Sequence, residues 1–142
     1  VGLRALRIGE AKGAVDFGEA VVSGVLANCL VCLAVWMTLS ARTLVDKVVV
    51  IVPPVAAFVA AGFEHSVANM YFLPAAMTQK AWAPDGFWAS TQTASTDFPH
   101  LTWYDFLIGN LLPVTIGNII GGAVLVGLVY WFVYLRPAAA QP

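Results

Sequence analysis

In 142 residues the chain carries seven Lys or Arg against eight Asp or Glu, and 60% of it is hydrophobic. Soluble domains carry about 25% charged residues; 11% charge and a mean hydropathy of +0.81 exclude an ordinary water-soluble domain. A formal net charge of −1 without any basic tract gives no footing for a nucleic-acid partner.

Asp, Glu, Lys and Arg are absent from residues 20–41, 48–63 and 106–135. About 20 apolar residues cross a bilayer core, so the composition predicts an all-α integral membrane fold with three transmembrane segments. Arg4, Arg7, Glu10 and Lys12 interrupt any signal-peptide core near the start, and the chain opens on Val1. A piece of a longer protein, or a trimmed one, is expected, with pore-completing partners elsewhere in the polypeptide or in an oligomer.

Residues 1–16, with Gly2, Gly9 and Gly13, read as a connector that is partly helical at the interface. Lys12 falls at the membrane edge, where a snorkelling or solvated side chain is the ordinary role. The first span is expected over 17–39. Its Gly18, Ser23, Gly24 and Ala27 permit close helix packing. Asn28 is the one amide deep in this span; it must bond across a helix interface or face an aqueous path. Cys29 and Cys32 form a C-x-x-C pattern, but the chain has no other Cys and no His nearby, so both read as small packing residues.

Residues 40–47 are a short loop with Arg42 and Lys47, which makes the first two spans antiparallel and marks the loop as cytoplasmic. The second span, 48–79, would be about 48 Å long as a straight helix, against a hydrocarbon core of about 30 Å. Pro53, Pro54 and Gly62 predict a break. The expected form is a short helix before Pro53, irregular chain over 54–62 and a second helix over 63–77. Non-helical backbone at that depth must be buried in protein or line a watery cavity.

Glu64 and His65 lie at this break. Ionisable groups at mid-membrane cost about 3 kcal/mol on insertion scales, so they mark functional sites. Helical spacing puts His65 and Asn69 on one face and turns Glu64 away from them. The second half-helix would point the positive end of its dipole at the membrane centre, which favours an anion.

The loop over 80–103 has one Lys against Asp85 and Asp97 and is expected outside, with Trp82, Trp88 and Trp103 at the interface. His100 reads as a solvated or interfacial loop residue. The last span, 104–135, holds Pro113, Asn118 and a G-x-x-x-G at Gly117–Gly121, which permits close helix contact within a protomer or between subunits. Residues 136–142 follow as a cytoplasmic tail.

With G-F-E-H-S-V-A-N-M at 62–70 and N-L-L-P-V-T-I-G-N-I-I-G-G at 110–122, the chain resembles the formate/nitrite transporter family, and within it the formate channels. The resemblance runs from the connector to about Arg136. It implies the second inverted repeat of an aquaporin-like six-span channel fold, a homopentamer with one pore per protomer, and a multi-pass protein of the inner (plasma) membrane. It also implies that the N-terminal half of the same protein completes the pore. By this resemblance His65 is the pore histidine, while Asn28 and Asn118 line or support the path. Phe58 is an aromatic constriction and Val31 an apolar one nearer the cytoplasm. Glu64, Asn69 and Lys12 form a supporting polar network. No cofactor, metal or enzymatic activity is implied.

Formate and nitrite are small, singly charged anions of weak acids. Carrying the bare ion past apolar rings costs a large desolvation energy that protonation removes. An imidazole, with an ordinary pKa of about 6.5, suits that proton donation. Transport of a weak-acid anion, formate foremost, is therefore expected, with H+ as a companion. The rival expectations are a nitrite-selective channel, a haem-binding redox subunit with His65 as axial ligand, and a purely structural helical subunit.

Overall fold

The computed structural model describes residues 1–136; the tail expected over 136–142 lies, beyond Arg136, outside the described residues. These residues form helices α1 (Gly2–Gly13), α2 (Phe17–Met37), α3 (Leu44–Ala60), α4 (Ser66–Trp82), α5 (Asp85–Thr91) and α6 (Asp105–Leu135), with a single 3-10 turn at Ser95–Asp97. Two of them, α2 and α6, are long and apolar enough to cross a membrane, with mean hydropathies of 2.2 and 2.0.

The expected connector is a full helix of 12 residues, α1. It is held by packing rather than by caps. Leu6, Gly9 and Gly13 are buried, and a Cβ at Gly9 would overlap Ala76 of α4 and crowd Leu101. Leu6, Leu73, Ala76, Phe98, Leu101 and Phe106 make a core that joins α1, α4, the start of α6 and the connecting loop. The Glu10 carboxylate accepts the His100 backbone N–H, and the Lys80 ammonium donates to the Phe98 carbonyl at 2.7 Å. The connection from α4 to α6 is thus a packed cap that contains α5, not a loose loop.

Small residues govern the α2–α6 contact. Ala20, Gly24, Ala27 and Ala34 form the buried stripe of α2. A Cβ at Gly117 would overlap the Val21 carbonyl, and one at Gly121 the Val25 carbonyl. The two backbones touch, so the glycine pattern serves packing within this chain. Cys29 and Cys32 are both free, and Cys29 donates weakly to the Gly121 carbonyl at 3.4 Å, a packing role as expected. Within α6 the hydrogen bonding widens to i→i+5 over Asp105–Leu111 and Ile120–Leu128. The first of these stretches ends two residues before Pro113, whose missing N–H and ring disturb the preceding turn.

Thr43 starts α3 with a reciprocal capping box: its hydroxyl accepts the Asp46 N–H at 3.1 Å, and Asp46 accepts the Thr43 N–H at 3.0 Å. The Thr43 backbone N–H, first, and the nearby Thr43 hydroxyl hold the Asp46 carboxyl below its ordinary range. No residue of α3 is buried, and Val45, Val48, Val49, Val52 and Val59 expose apolar surface.

The break differs from the one expected at Pro53. The helix runs through Pro53 and Pro54 to Ala60, and the non-helical chain is confined to residues 61–65. The terminator is Gly62. Its φ of +71° places it in the left-handed region, the Gly62 N–H donates to the Val59 carbonyl, and the Phe63 N–H donates to the Phe58 carbonyl, both at 3.1 Å. This is a Schellman motif, which satisfies the carbonyls that a helix end leaves open. Prolines weaken a helix; a left-handed glycine with paired carbonyls ends it.

Candidate functional site

His65 is the N-cap of α4 and extended in conformation, at φ −126° and ψ 122°. The α4 helix starts when its carbonyl accepts the Asn69 N–H at 2.9 Å. The imidazole is half-buried, and its ring lies 5.9 Å from the Phe58 ring at an interplanar angle of 33°. Among the described residues no protein group hydrogen-bonds its side chain. Phe58 belongs to the last turn of α3 rather than to irregular chain, and the Schellman turn folds it back against the histidine.

Glu64 is buried, 5% exposed, and every polar group it owns is held. Its backbone N–H donates to the Ser23 hydroxyl at 2.8 Å, and its carbonyl accepts from the Asn118 amide at 3.4 Å. Its carboxylate pairs with the Lys12 ammonium at 2.8 Å and accepts from the Asn69 amide at 2.5 Å. Lys12 also lies 5.8 Å from the centre of the Phe72 ring, so the cation is enclosed rather than snorkelling.

Helical spacing pairs Asn69 with His65, but the side chain of Asn69 bonds Glu64 instead. The reason is local: residues 64 and 65 lie outside the helix and His65 is extended, so helical spacing does not govern their side chains. The carboxylate turns inward to α1 and α4, and the imidazole turns to Phe58.

Asn118 fastens the break to the two long helices. Its Oδ1 accepts from the Ser66 N–H at 3.0 Å and the Ser66 hydroxyl at 2.9 Å, and its Nδ2 donates to the Gly24 carbonyl at 2.9 Å as well as to Glu64. Asn28 donates to the Asn118 carbonyl at 2.6 Å. Both amides therefore bond across helix interfaces. Val31 stands one turn beyond Asn28 on α2 and is half-buried.

Sequence reasoning missed Asn110. It sits within the quoted 110–122 motif, fully buried, and donates to the Lys12 carbonyl at 2.8 Å and to Glu64 at 3.3 Å while accepting from Asn69 at 2.7 Å. An amide in an uncharged span was the available signal.

Two cavities meet at Gly62. One, about 340 Å³, is lined by Lys12, Glu19, Ser23, Gly62 and Glu64; the other, about 490 Å³, by Glu19, Val22, Ser23, Leu26, Gly62 and Phe63. A larger cleft of about 560 Å³ beside the α5 cap, by Pro74, Lys80 and Trp103, contains none of the break residues and is no part of the site.

A model of the formate/nitrite transporter family matches residues 1–132. The chain is 52% identical over 135 residues to the formate channel FocA of Escherichia coli K12, covering 95% of this chain and 47% of that protein. It is 37% identical over 128 residues to a probable formate transporter of Methanothermobacter thermautotrophicus, covering 90% of this chain and 40% of that one. A solved pentameric formate channel with formate bound superposes with a TM-score of 0.89 at 49% identity, over 95% of this chain and 53% of that one. The chain thus spans about half the length of the relatives it matches. The helical architecture is that of the solved channel, and the protein is a membrane protein. On the family match and these identities, the chain belongs to the formate/nitrite transporter family.

Proposed function

We propose that this chain forms one half of a transmembrane pore for small weak-acid anions, with formate as the substrate and His65 as the group that exchanges a proton with it. The single observation that carries this is the placement of His65 at a helix break. Its imidazole has no protein hydrogen bond among the described residues, stands beside the first turn of α4 and faces the Phe58 ring. An anion arriving there meets a proton donor, the positive end of a half-helix and an aromatic wall in one place.

On this reading α3, the break and α4 cross the bilayer together as the middle segment, between α2 and α6, as the second of two inverted repeats. The N-terminal half of the protein supplies the facing wall, five copies assemble, and each protomer has its own pore. The likeness to a pentameric formate channel supports that assembly. The cations Arg42 and Lys47 support a cytoplasmic α2–α3 loop at the plasma membrane, with α1 and the α5 cap opposite and the C-terminus on the side of the loop. Phe58 narrows the path next to His65, and Val31 narrows it on the cytoplasmic side. Lys12, Glu64, Asn69, Asn28 and Asn118 hold the break in shape.

The test is flux through liposomes containing the full-length protein, with formate, nitrite and acetate offered at several pH values. Formate flux that rises as the external pH falls and exceeds that of acetate is expected. Equal passage of all three, or none, contradicts the proposal, and a Soret band in the purified protein would favour the haem reading instead.

A further inference from the structure

We infer that Asn110 is a positioning residue for Glu64: it fixes the direction of a buried hydrogen-bond chain so that the Glu64 side chain can act only as an acceptor. The inference rests on the reading of the break as the anion path.

The chain of bonds begins at a group that cannot change its role. The Lys12 carbonyl, in the last turn of α1, is an obligate acceptor. Asn110 Nδ2 donates to it at 2.8 Å, which fixes the rotation of the Asn110 amide and turns its Oδ1 toward Asn69. Asn69 must then present its Nδ2, and does, at 2.7 Å. The same Nδ2 reaches one carboxylate oxygen of Glu64, and Asn110 Nδ2 approaches that oxygen at 3.3 Å. The Lys12 ammonium, also a donor only, takes the other oxygen at 2.8 Å. Glu64 is thus surrounded by donors on α1, α4 and α6, and a protonated carboxyl would find no acceptor among these partners.

One atom bears the cost. Asn69 Oδ1 is buried and, among the described residues, has no protein hydrogen-bond partner. Flipping the Asn69 amide would bring Oδ1 against both Asn110 Oδ1 and the Glu64 carboxylate, so the orphan oxygen follows from the polarity imposed upstream. Buried polar atoms are otherwise almost always paired, which makes this arrangement a costly choice that a merely space-filling amide would avoid. Titratable groups facing Glu64 are Lys12 from α1, Glu19 across the shared cavity from α2, and its neighbour His65. Asn69 from α4 and Asn110 and Asn118 from α6 carry no charge.

The experiment uses the full-length protein, purified and reconstituted in liposomes. Asn110→Asp keeps the shape and removes the donor; Asn110→Leu removes both functions. Each is expected to lower formate flux at least about tenfold, the size of one lost charge-assisted bond. Placed on Glu64→Gln, Asn110→Leu should add less than about twofold, because its target is gone. Infrared spectra should show the carboxylate band that Glu64→Gln abolishes at a different frequency in Asn110→Leu than in the wild type. Wild-type flux in both Asn110 variants, or full additivity with Glu64→Gln, overturns the inference. If His65→Phe is also without effect, the pore reading fails as well; if His65→Phe alters flux, only the role of Asn110 is lost. A further measurement needs no variant at Asn110: Glu64→Gln must remove no carboxylic-acid band from the wild-type spectrum at neutral pH, and removal of such a band overturns the inference.

Discussion

Lys12 and Glu64, 52 positions apart in the chain, form an ion pair at 2.8 Å with side chains 17% and 6% exposed. The pair ties the end of α1 to the break between α3 and α4, so the element that looked like a connector is part of the site's frame. A pair this enclosed has a strong mutational signature. Removing one partner strands a charge, at a cost of about 3–5 kcal/mol, whereas removing both does not. Lys12→Met and Glu64→Gln should each lower the thermal midpoint of the detergent-solubilised full-length protein more than the double variant does. A double variant as unstable as the sum of the singles would show that the pair is not coupled.

Gly62 is held at φ +71°, and a Cβ placed there would meet nothing within 4 Å. Its substitution therefore tests backbone conformation without steric overlap. Gly62→Ala is expected to cost about 1 kcal/mol, and Gly62→Asn less, because Asn tolerates the left-handed region. Comparison of thermal midpoints checks the order; Gly62→Val falling below both would complete the series.

Gly117 and Gly121 have the opposite character. A methyl group at either would enter a carbonyl of α2, so Gly117→Ala and Gly121→Ala must push the helices apart. A loss of about 1–3 kcal/mol is expected for each. A lowered thermal midpoint would register it, and neutral behaviour would contradict backbone contact between α2 and α6.

Asn118 makes four side-chain bonds and Asn28 one. Asn118→Leu leaves partners in three segments unpaired, while Asn28→Leu leaves a single carbonyl short. The expected costs are about 3 kcal/mol or more for the first and about 1 kcal/mol for the second. Equal losses would mean that the break is not fastened through Asn118.

How much of this was legible in the sequence varies by residue. The spans α2 and α6 follow from uncharged runs, because crossing a bilayer constrains composition directly. The α2–α6 contact follows from glycine and alanine spacing. The position of the break did not follow from Pro53 and Pro54, because the helix runs on through both prolines to Ala60, whereas a left-handed Gly62 cannot continue it. The partner of Asn69 was misread for a related reason: helical periodicity was applied to residues 64 and 65, which lie outside the helix. Asn110 escaped notice because its importance lies in a carbonyl of α1, 98 positions away, and no local pattern encodes that distance.

Everything proposed for the pore turns on His65 exchanging a proton with the passing anion. Formate flux against pH in liposomes carrying full-length wild type, His65→Phe and His65→Asn reads that exchange itself. Wild-type flux should depend on pH near neutrality, and both variants should change rate or selectivity and lose that dependence. Unchanged rate, selectivity and pH dependence in both variants would contradict a proton-exchanging His65.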